Sequence, residues 1–555
     1  MLTGAALPLT LSLFLGCSNR ASTEQVKMRD GVRLETDVFL PKGEGPFSTV
    51  LYRTPYGRLP IELKALQLNG DGLAVVAQNV RGRYGSEGRN RVFTTDGDGD
   101  LKDGYDTLAW IVGQAWSDGK VAMSGASALG ITQYMAASAS PPGLVLVSAE
   151  VATPNVYSDA MFQGGQRRYS LSHSWLQSQD NLSFEDRLAA HPLEDAFWDS
   201  SQTHDQFGSV RAAGLHVGGW YDIFQQGTLD AFRGYQHEGG AGAAGNQKLV
   251  MGPWSHGTVG EREQGELAYP SNATAPRVAN AEEILFKHYL NADMALKGKP
   301  SDIPTVQYYL MGDVEDGDAP GNEWREAEDW PPLAAPVRLH LQSGGGLAEA
   351  CPAGAESSTA YKVAPLDPVP TICGANLNIK AGPCDQRDLE EREDVLVFDT
   401  GVLDVPLEIV GPVSAHLFVS LNRTDTDLMV RMTDVYPDGR SMLITDGALR
   451  LASRGTTTDF EPLEPGERVE AVVDLWSTAM VINAGHRLRI SIASSNWPRF
   501  SVNRNNGEPY PESVEGDPKP LTVTVHHDET AASYLEVPDP RRAPAAFTTC
   551  ASSAR

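Results

Sequence analysis

Ser127, Asp222 and His256 are the side chains whose types and order could carry acyl chemistry. Ser127 lies in Gly125-Ala126-Ser127-Ala128-Leu129-Gly130, just beyond the apolar run Val121-Ala122-Met123. A serine hydroxyl is a poor nucleophile until a base takes its proton, and that base needs an acid to orient it. Both follow in the chain. Leu215-His216-Val217-Gly218-Gly219-Trp220-Tyr221-Asp222 reads as a strand entering a turn that ends in a carboxylate. Lys248-Leu249-Val250-Met251 runs into Gly252-Pro253-Trp254-Ser255-His256, which places an imidazole just past another strand. The chemistry expected is attack on an ester or amide carbonyl through an acyl-enzyme. GxSxxG alone is a weak signal, because Gly/Ser/Ala loops are common. Three elements in order, each at a strand end, form a much stronger one.

The elements that must position these groups are legible as short apolar runs alternating with helical patterns. Residues 49–52, 73–77, 121–123, 144–147, 215–217 and 248–251 read as buried strands, and 103–114 and 130–139 as helices. Such alternation predicts a parallel sheet covered by helices. It sets Ser127 on a strand-to-helix turn, where Gly125 and Gly130 permit close approach and unusual dihedrals. The order Ser, Asp, His is that of α/β-hydrolases. Residues 151–211, rich in Gln, Ser, His, Trp and Tyr, predict a helical cap inserted over the sheet. A long amphipathic helix is expected at about 279–297, followed by a Trp/Glu/Pro-rich link at 322–334. Beyond 335 the pattern changes to strands at 337–341, 395–398, 415–419, 487–492 and 521–525, separated by Gly/Pro/Asp turns. This predicts an all-β jelly-roll domain. The expected organisation is a leader and linker at 1–24, an α/β-hydrolase core at 25–150 and 212–334, the cap at 151–211, and the jelly roll at 335–555. No internal repeat is present.

Bulk properties agree with a globular chain of several domains. There are 555 residues, 41% apolar and 21% charged,. The net charge of −27 argues against nucleic acid and anionic membrane surfaces as partners. The apolar run Leu7–Leu15, closed by Gly16-Cys17, predicts an export signal with Cys17 as a site for a lipid anchor. The n-region MLTGAAL has no Lys or Arg, as a start shortened at its front would lack. The location expected is outside the cytoplasm: periplasmic, anchored to the outer membrane as a lipoprotein, or secreted. Cys351, Cys373, Cys384 and Cys550 then permit two disulfides. Pairing Cys373 with Cys384 across their short loop would leave Cys351 for Cys550.

GGWYD at 218–222, GPWSHG at 252–257, AWSDGKVAMSGASALG at 115–130 and NVRGRYGSEG at 79–88 resemble the cocaine esterase family. That family also holds X-Pro dipeptidyl-peptidases, α-amino-acid ester hydrolases and glutaryl-cephalosporanic acid acylases. DPVPTICGANLNIKAGPCDQRDLEEREDVLVF at 367–398 resembles its entry into the C-terminal sandwich, and the likeness runs from about residue 25 to 530. The resemblance implies Ser127 as nucleophile, Asp222 as orienting acid and His256 as general base. It also implies an oxyanion hole built from the Tyr56 hydroxyl, in Arg53-Thr54-Pro55-Tyr56-Gly57, and the amide of Ala128. Two departures stand out. Ala128 replaces the family's usual tyrosine and shrinks one pocket wall. Leu129 stands where amino-ester hydrolases place an acid, which weakens an amino-ester reading. The short span between Ser127 and Asp222 implies a reduced lid.

Other residues carry weaker signals. Phe224, Trp220 and Trp254 flank the triad motifs and could line an acyl pocket or belong to the core, with Phe224 the best pocket candidate. His216, alternating within a strand, reads as a satisfied structural histidine, and His191 and His204 add no pattern of their own. His526-His527 has little claim to a metal. Asp96-Gly97-Asp98-Gly99-Asp100 spaces carboxylates as Ca²⁺ wants, but Leu101 stands where glycine is due and no Glu closes the loop. A solvated acidic turn is the better expectation. Glu194-Asp195 could meet a substrate amine, though such pairs are usually solvated. No metal or organic cofactor is implied. The rivals to an esterase or acylase are an X-Pro dipeptidyl-peptidase, which needs an anionic site for a free amino terminus, and a non-catalytic surface binding protein. Acyl specificity and oligomeric state are not written in the sequence.

Overall fold

The computed structural model describes residues 22–354, 356–509, 517–542 and 550. The leader and Cys17 lie outside these. Ten strands form one sheet, in the order Ser22–Lys27, Arg33–Phe39, Ala74–Asn79, Phe47–Thr54, Ser117–Ala126, Leu144–Glu150, Ala213–Tyr221, Gln247–Ser255, Val306–Leu310 and Glu323–Ala327. The seven from Ala74–Asn79 to Val306–Leu310 are parallel. Antiparallel partners close both edges. All six strands expected from sequence lie in the parallel centre, where both faces are covered and the chain must read as an apolar run. Ala74–Asn79, for example, is buried at every residue. Helices Asp103–Val112 and Ala128–Ser138 occupy the expected stretches.

Two expectations need correction. The helix expected over 279–297 is only Ala281–Tyr289, and 291–299 has no regular structure. Asn291 takes a left-handed backbone (φ 53°) and ends it, a conformation that asparagine tolerates better than most residues. The Lys287 ammonium then ties down the carbonyls of Met294 and Leu296. The link expected at 322–334 contains the sheet's edge strand Glu323–Ala327.

Between Leu144–Glu150 and Ala213–Tyr221 the chain builds a cap. It comprises a wide helical turn Val156–Met161, a two-residue hairpin Phe162–Arg167, helices Tyr169–Ser178 and Glu185–Ala190, and short turns. Glu194 belongs to it and is half-buried, while Asp195 is exposed. The Glu194 carboxylate accepts from Thr457 Oγ1 (2.5 Å) and from Gln202, tying the cap to the C-terminal domain. Asp195 accepts from His191.

The C-terminal domain is an all-β jelly roll. Its long strand Leu407–Leu421 pairs with Arg468–Ile482, Leu521–Asp528 and Tyr534–Asp539, and Tyr534–Asp539 also pairs with Ala335–Gln342. The hairpin Asp427–Val435/Ser441–Arg450, buried along its whole length, is absent from the sequence reading. Cys351 is bonded to Cys550 and Cys373 to Cys384. The two domains share a core: Trp220, Tyr221, Tyr308 and Trp330 pack in one cluster with Leu339, Ile444, Leu475 and Val481. Reciprocal backbone bonds between Met311 and the strand at 479–481 (2.9 Å each) lock the seam.

Candidate active site

The turn after Ser117–Ala126 explains its composition. Ser127 adopts φ 59°, ψ −125°, a left-handed geometry that a residue with a Cβ holds only where its surroundings impose it. Its N–H donates to Glu150 O and its carbonyl accepts from Ile131 N–H, both at 2.9 Å. Gly125 has φ 135°, and a Cβ there would meet the Leu129 Cβ at 2.7 Å. A Cβ at Gly130 would come within 2.4 Å of the Ala152 Cβ. The small residues around the serine are therefore steric necessities. They lift its hydroxyl out of the sheet and start the helix Ala128–Ser138, whose first amide, that of Ala128, has no acceptor within the helix.

Asp222 follows its strand directly and is fully buried. Its Oδ1 lies 2.5 Å from His256 Nδ1, and Oδ2 accepts from the Phe224 N–H at 2.9 Å. His256 follows Gln247–Ser255, with Nε2 2.9 Å from Ser127 Oγ. The edge of Phe224 packs against the imidazole at 5.5 Å. Arg168, buried and missed by sequence reading, donates from Nη1 to Ile223 O at 2.7 Å and fixes the turn beyond Asp222. Burial pushes its guanidinium down to about 9.

Tyr56 stands in the loop after Phe47–Thr54, braced by the 79–88 segment. Tyr84 Oη donates to Tyr56 O (2.7 Å) and Arg83 Nε to Pro55 O (3.1 Å). Although 40% of the residue is exposed, its hydroxyl is desolvated. That burial raises its pKa, partly offset by hydrogen bonds with Trp175 and Ser127. Trp175 Nε1 donates to Tyr56 Oη at 3.0 Å.

A narrow pocket opens above Ser127 and Ala128, walled by Phe93, Ile131, Met161, Leu171, Trp175 and Phe224. Leu377 joins them from the C-terminal domain, inside the loop closed by Cys373–Cys384. Phe224 is thus a wall, while Trp220 and Trp254 are not. Trp220 donates to Tyr309 O (2.7 Å) and packs on Trp330; Trp254 donates to Ala273 O (2.9 Å) and packs on Trp324. On a parallel strand buried on both faces, residues near the catalytic end serve the core as readily as the site. Leu171, Trp175 and Leu377 come from the cap and a distant domain, with no local pattern to announce them.

Other candidates take structural places. His216 is buried neutral between Tyr134 Oη (2.8 Å) and Gln247 Oε1 (3.0 Å), and burial holds its pKa near 4. Asp96 is not solvated: it is buried against Arg53. Asp98 pairs with Lys102. His527 lies between the hydroxyls of Ser357 and Thr359, and His526 contacts Ser420 (2.9 Å each). His204 lies 3.5 Å from Asp205.

Comparison with known proteins agrees with this architecture. The X-Pro dipeptidyl-peptidase (S15 family) model matches residues 30–179 and 166–258, and the X-Pro dipeptidyl-peptidase C-terminal non-catalytic domain matches 298–536. A cocaine esterase from Rhodococcus sp. is 32% identical over 554 residues, spanning 88% of this chain and 92% of that one. The chain belongs to the cocaine esterase and X-Pro dipeptidyl-peptidase family. It is a serine hydrolase acting on ester or amide bonds. Among solved structures, an aminopeptidase from a marine sediment Thaumarchaeota archaeon superposes with TM-score 0.81 at 25% identity, covering 97% of this chain and 99% of that one. An α-amino acid ester hydrolase superposes with TM-score 0.79, also at 25% identity, covering 96% and 100%. Members of this cocaine esterase-like family thus include both peptidases and esterases by name, so the pocket must decide between them.

Proposed function

We propose that the chain is a carboxylesterase for esters with an uncharged, apolar acyl group, working through Ser127, His256 and Asp222. His256 takes the Ser127 proton as the hydroxyl attacks the carbonyl. Asp222 holds the Nδ1–H tautomer and stabilises the imidazolium, which then protonates the leaving alkoxide. Tyr56 Oη and the Ala128 amide receive the developing oxyanion. Water, activated by the same imidazole, releases the acid. The observation that carries the ester reading is the pocket wall. Among the described residues that line it, all but Ser127 and Ser172 are apolar, and none is an acid that could pair with a substrate ammonium. An X-Pro dipeptidyl-peptidase needs such a group. The Rhodococcus relative, an esterase by name, supports the same choice.

The test is a chromogenic panel of acetyl, branched-chain and benzoyl esters beside amino-acid esters and Gly-Pro-anilide, with Ser127→Ala as control. Benzoyl or branched esters should give the highest kcat/KM, and Ser127→Ala should be inactive. Preference for Gly-Pro-anilide would refute the ester reading. Export, with acylation at Cys17, is part of the same proposal. The two disulfides, which suit an oxidising compartment, support it,. Incorporation of labelled palmitate, lost in Cys17→Ala, is the expected result.

A further inference from the structure

Two hydrogen-bonded groups meet at the reaction centre: Trp175 Nε1 donates to Tyr56 Oη at 3.0 Å, while Ser127 Oγ lies 2.9 Å from His256 Nε2 and His256 Nδ1 lies 2.5 Å from Asp222 Oδ1. An indole N–H can only donate, and a carboxylate can only accept. The indole therefore fixes the Tyr56 oxygen as an acceptor, and the carboxylate fixes His256 Nδ1 as a donor and Nε2 as the acceptor for the Ser127 proton. Tyr56 accepts from Trp175 and is left to point its single proton away from the indole, toward the reaction centre, while Ser127 donates to His256. We propose that Trp175 is a positioning residue of the oxyanion site, its indole N–H orienting the Tyr56 hydroxyl so that its proton faces the substrate carbonyl. This rests on the reading of Tyr56 as an oxyanion donor.

Trp175 is itself held firmly. Its ring stacks on Phe93 (5.5 Å between centroids, 21° between planes). Its helix, Tyr169–Ser178, is pinned to the C-terminal domain where Ser170 N–H donates to Pro498 O at 3.0 Å and Tyr169 packs on Trp497 at 4.8 Å. The orientation of the Tyr56 proton is thereby referred to the cap and, through it, to the jelly roll. A rotatable phenol deprived of its one donor must sort its own proton in each turnover, and a neutral hydrogen bond of this kind is worth roughly tenfold in rate.

The experiment is a double-mutant cycle on a benzoyl ester: Trp175→Phe, Tyr56→Phe and the pair, with benzothienylalanine at position 175 as an indole isostere lacking the N–H. Fluorophosphonate labelling of Ser127 and the melting temperature check folding, and the isostere decides if the phenylalanine variant is misfolded. Tyr56→Phe should lower kcat about 100- to 1000-fold. Both position-175 replacements should lower kcat roughly 10-fold with KM within threefold, and cost nothing further once Tyr56 is phenylalanine. A kcat change under threefold for the isostere, or an equal loss in both backgrounds, overturns the role of Trp175 alone. A loss under tenfold for Tyr56→Phe overturns the oxyanion assignment and this inference together, while labelling of Ser127 still reports on the hydrolase reading.

Discussion

Asp222 shows how much one fully buried carboxylate is asked to do. It accepts from His256 through Oδ1 and from the Phe224 amide through Oδ2, so an amide at this position would turn an N–H toward one of two donors. Asp222→Asn should leave the fold intact and cut kcat by about 10⁴-fold, read in a steady-state assay against unchanged circular dichroism. The convergence of Ser127, Asp222 and His256 was legible, because each stands where an apolar run meets a turn, and the structure brings the three within hydrogen-bond reach. Arg168, Trp175 and Leu377 were not. An arginine in a polar cap sequence reads as surface, and nothing in the chain says that Arg168 will be buried against the carbonyl of Ile223. Trp220 and Trp254, which the sequence left open between pocket and core, are core: each lies two residues from Asp222 or His256 yet donates to a backbone carbonyl, of Tyr309 or Ala273.

Whole elements set the tolerances of the site. The helix after Ser127 presses so closely on the neighbouring loop that Gly130→Ala would drive a methyl to 2.4 Å from Ala152. A destabilisation of about 1–3 kcal/mol is expected, visible as a lowered urea midpoint. The loop between Cys373 and Cys384 delivers Leu377 to the pocket. Leu377→Ala should lower kcat/KM for benzoyl esters roughly 10-fold and leave acetyl esters almost untouched, since only the larger acyl group needs that wall. Equal losses for both would mean that the loop acts on the nucleophile instead. At this scale the sequence was informative where burial is two-sided and silent where it is not. The central parallel strands announce themselves as Val/Leu/Ala runs, whereas the edge strand Glu323–Ala327 carries Glu, Trp and Arg because solvent covers one side. The hairpin at 427–450 was lost for another reason: charged Asp427, Arg431, Asp434 and Arg450 interrupt its apolar pattern yet are buried.

For the molecule as a whole, the shared core makes one cooperative unit of two folds. Calorimetry should show a single transition, and a fragment ending at residue 334 should be insoluble, because Trp220, Tyr308 and Trp330 would lose the jelly-roll side chains that cover them,. Acid should weaken that unit through His216. Its folded pKa of about 4 lies below the ordinary value of 6.5, so the unfolded chain binds a proton first. The stability that neutral His216 contributes is complete above pH 6.5 and falls as pH drops toward 4, by roughly 3 kcal/mol. His216→Gln, less stable at pH 8 through its altered contacts with Tyr134, should close that gap in melting temperature as pH is lowered. The strand Tyr534–Asp539 lies between Leu407–Leu421 and Ala335–Gln342 in the middle of its sheet. A ribosome must therefore finish residue 539 before the sandwich can close, and until then much of the apolar interior stays uncovered. Closure of the sandwich is therefore one of the last events of folding.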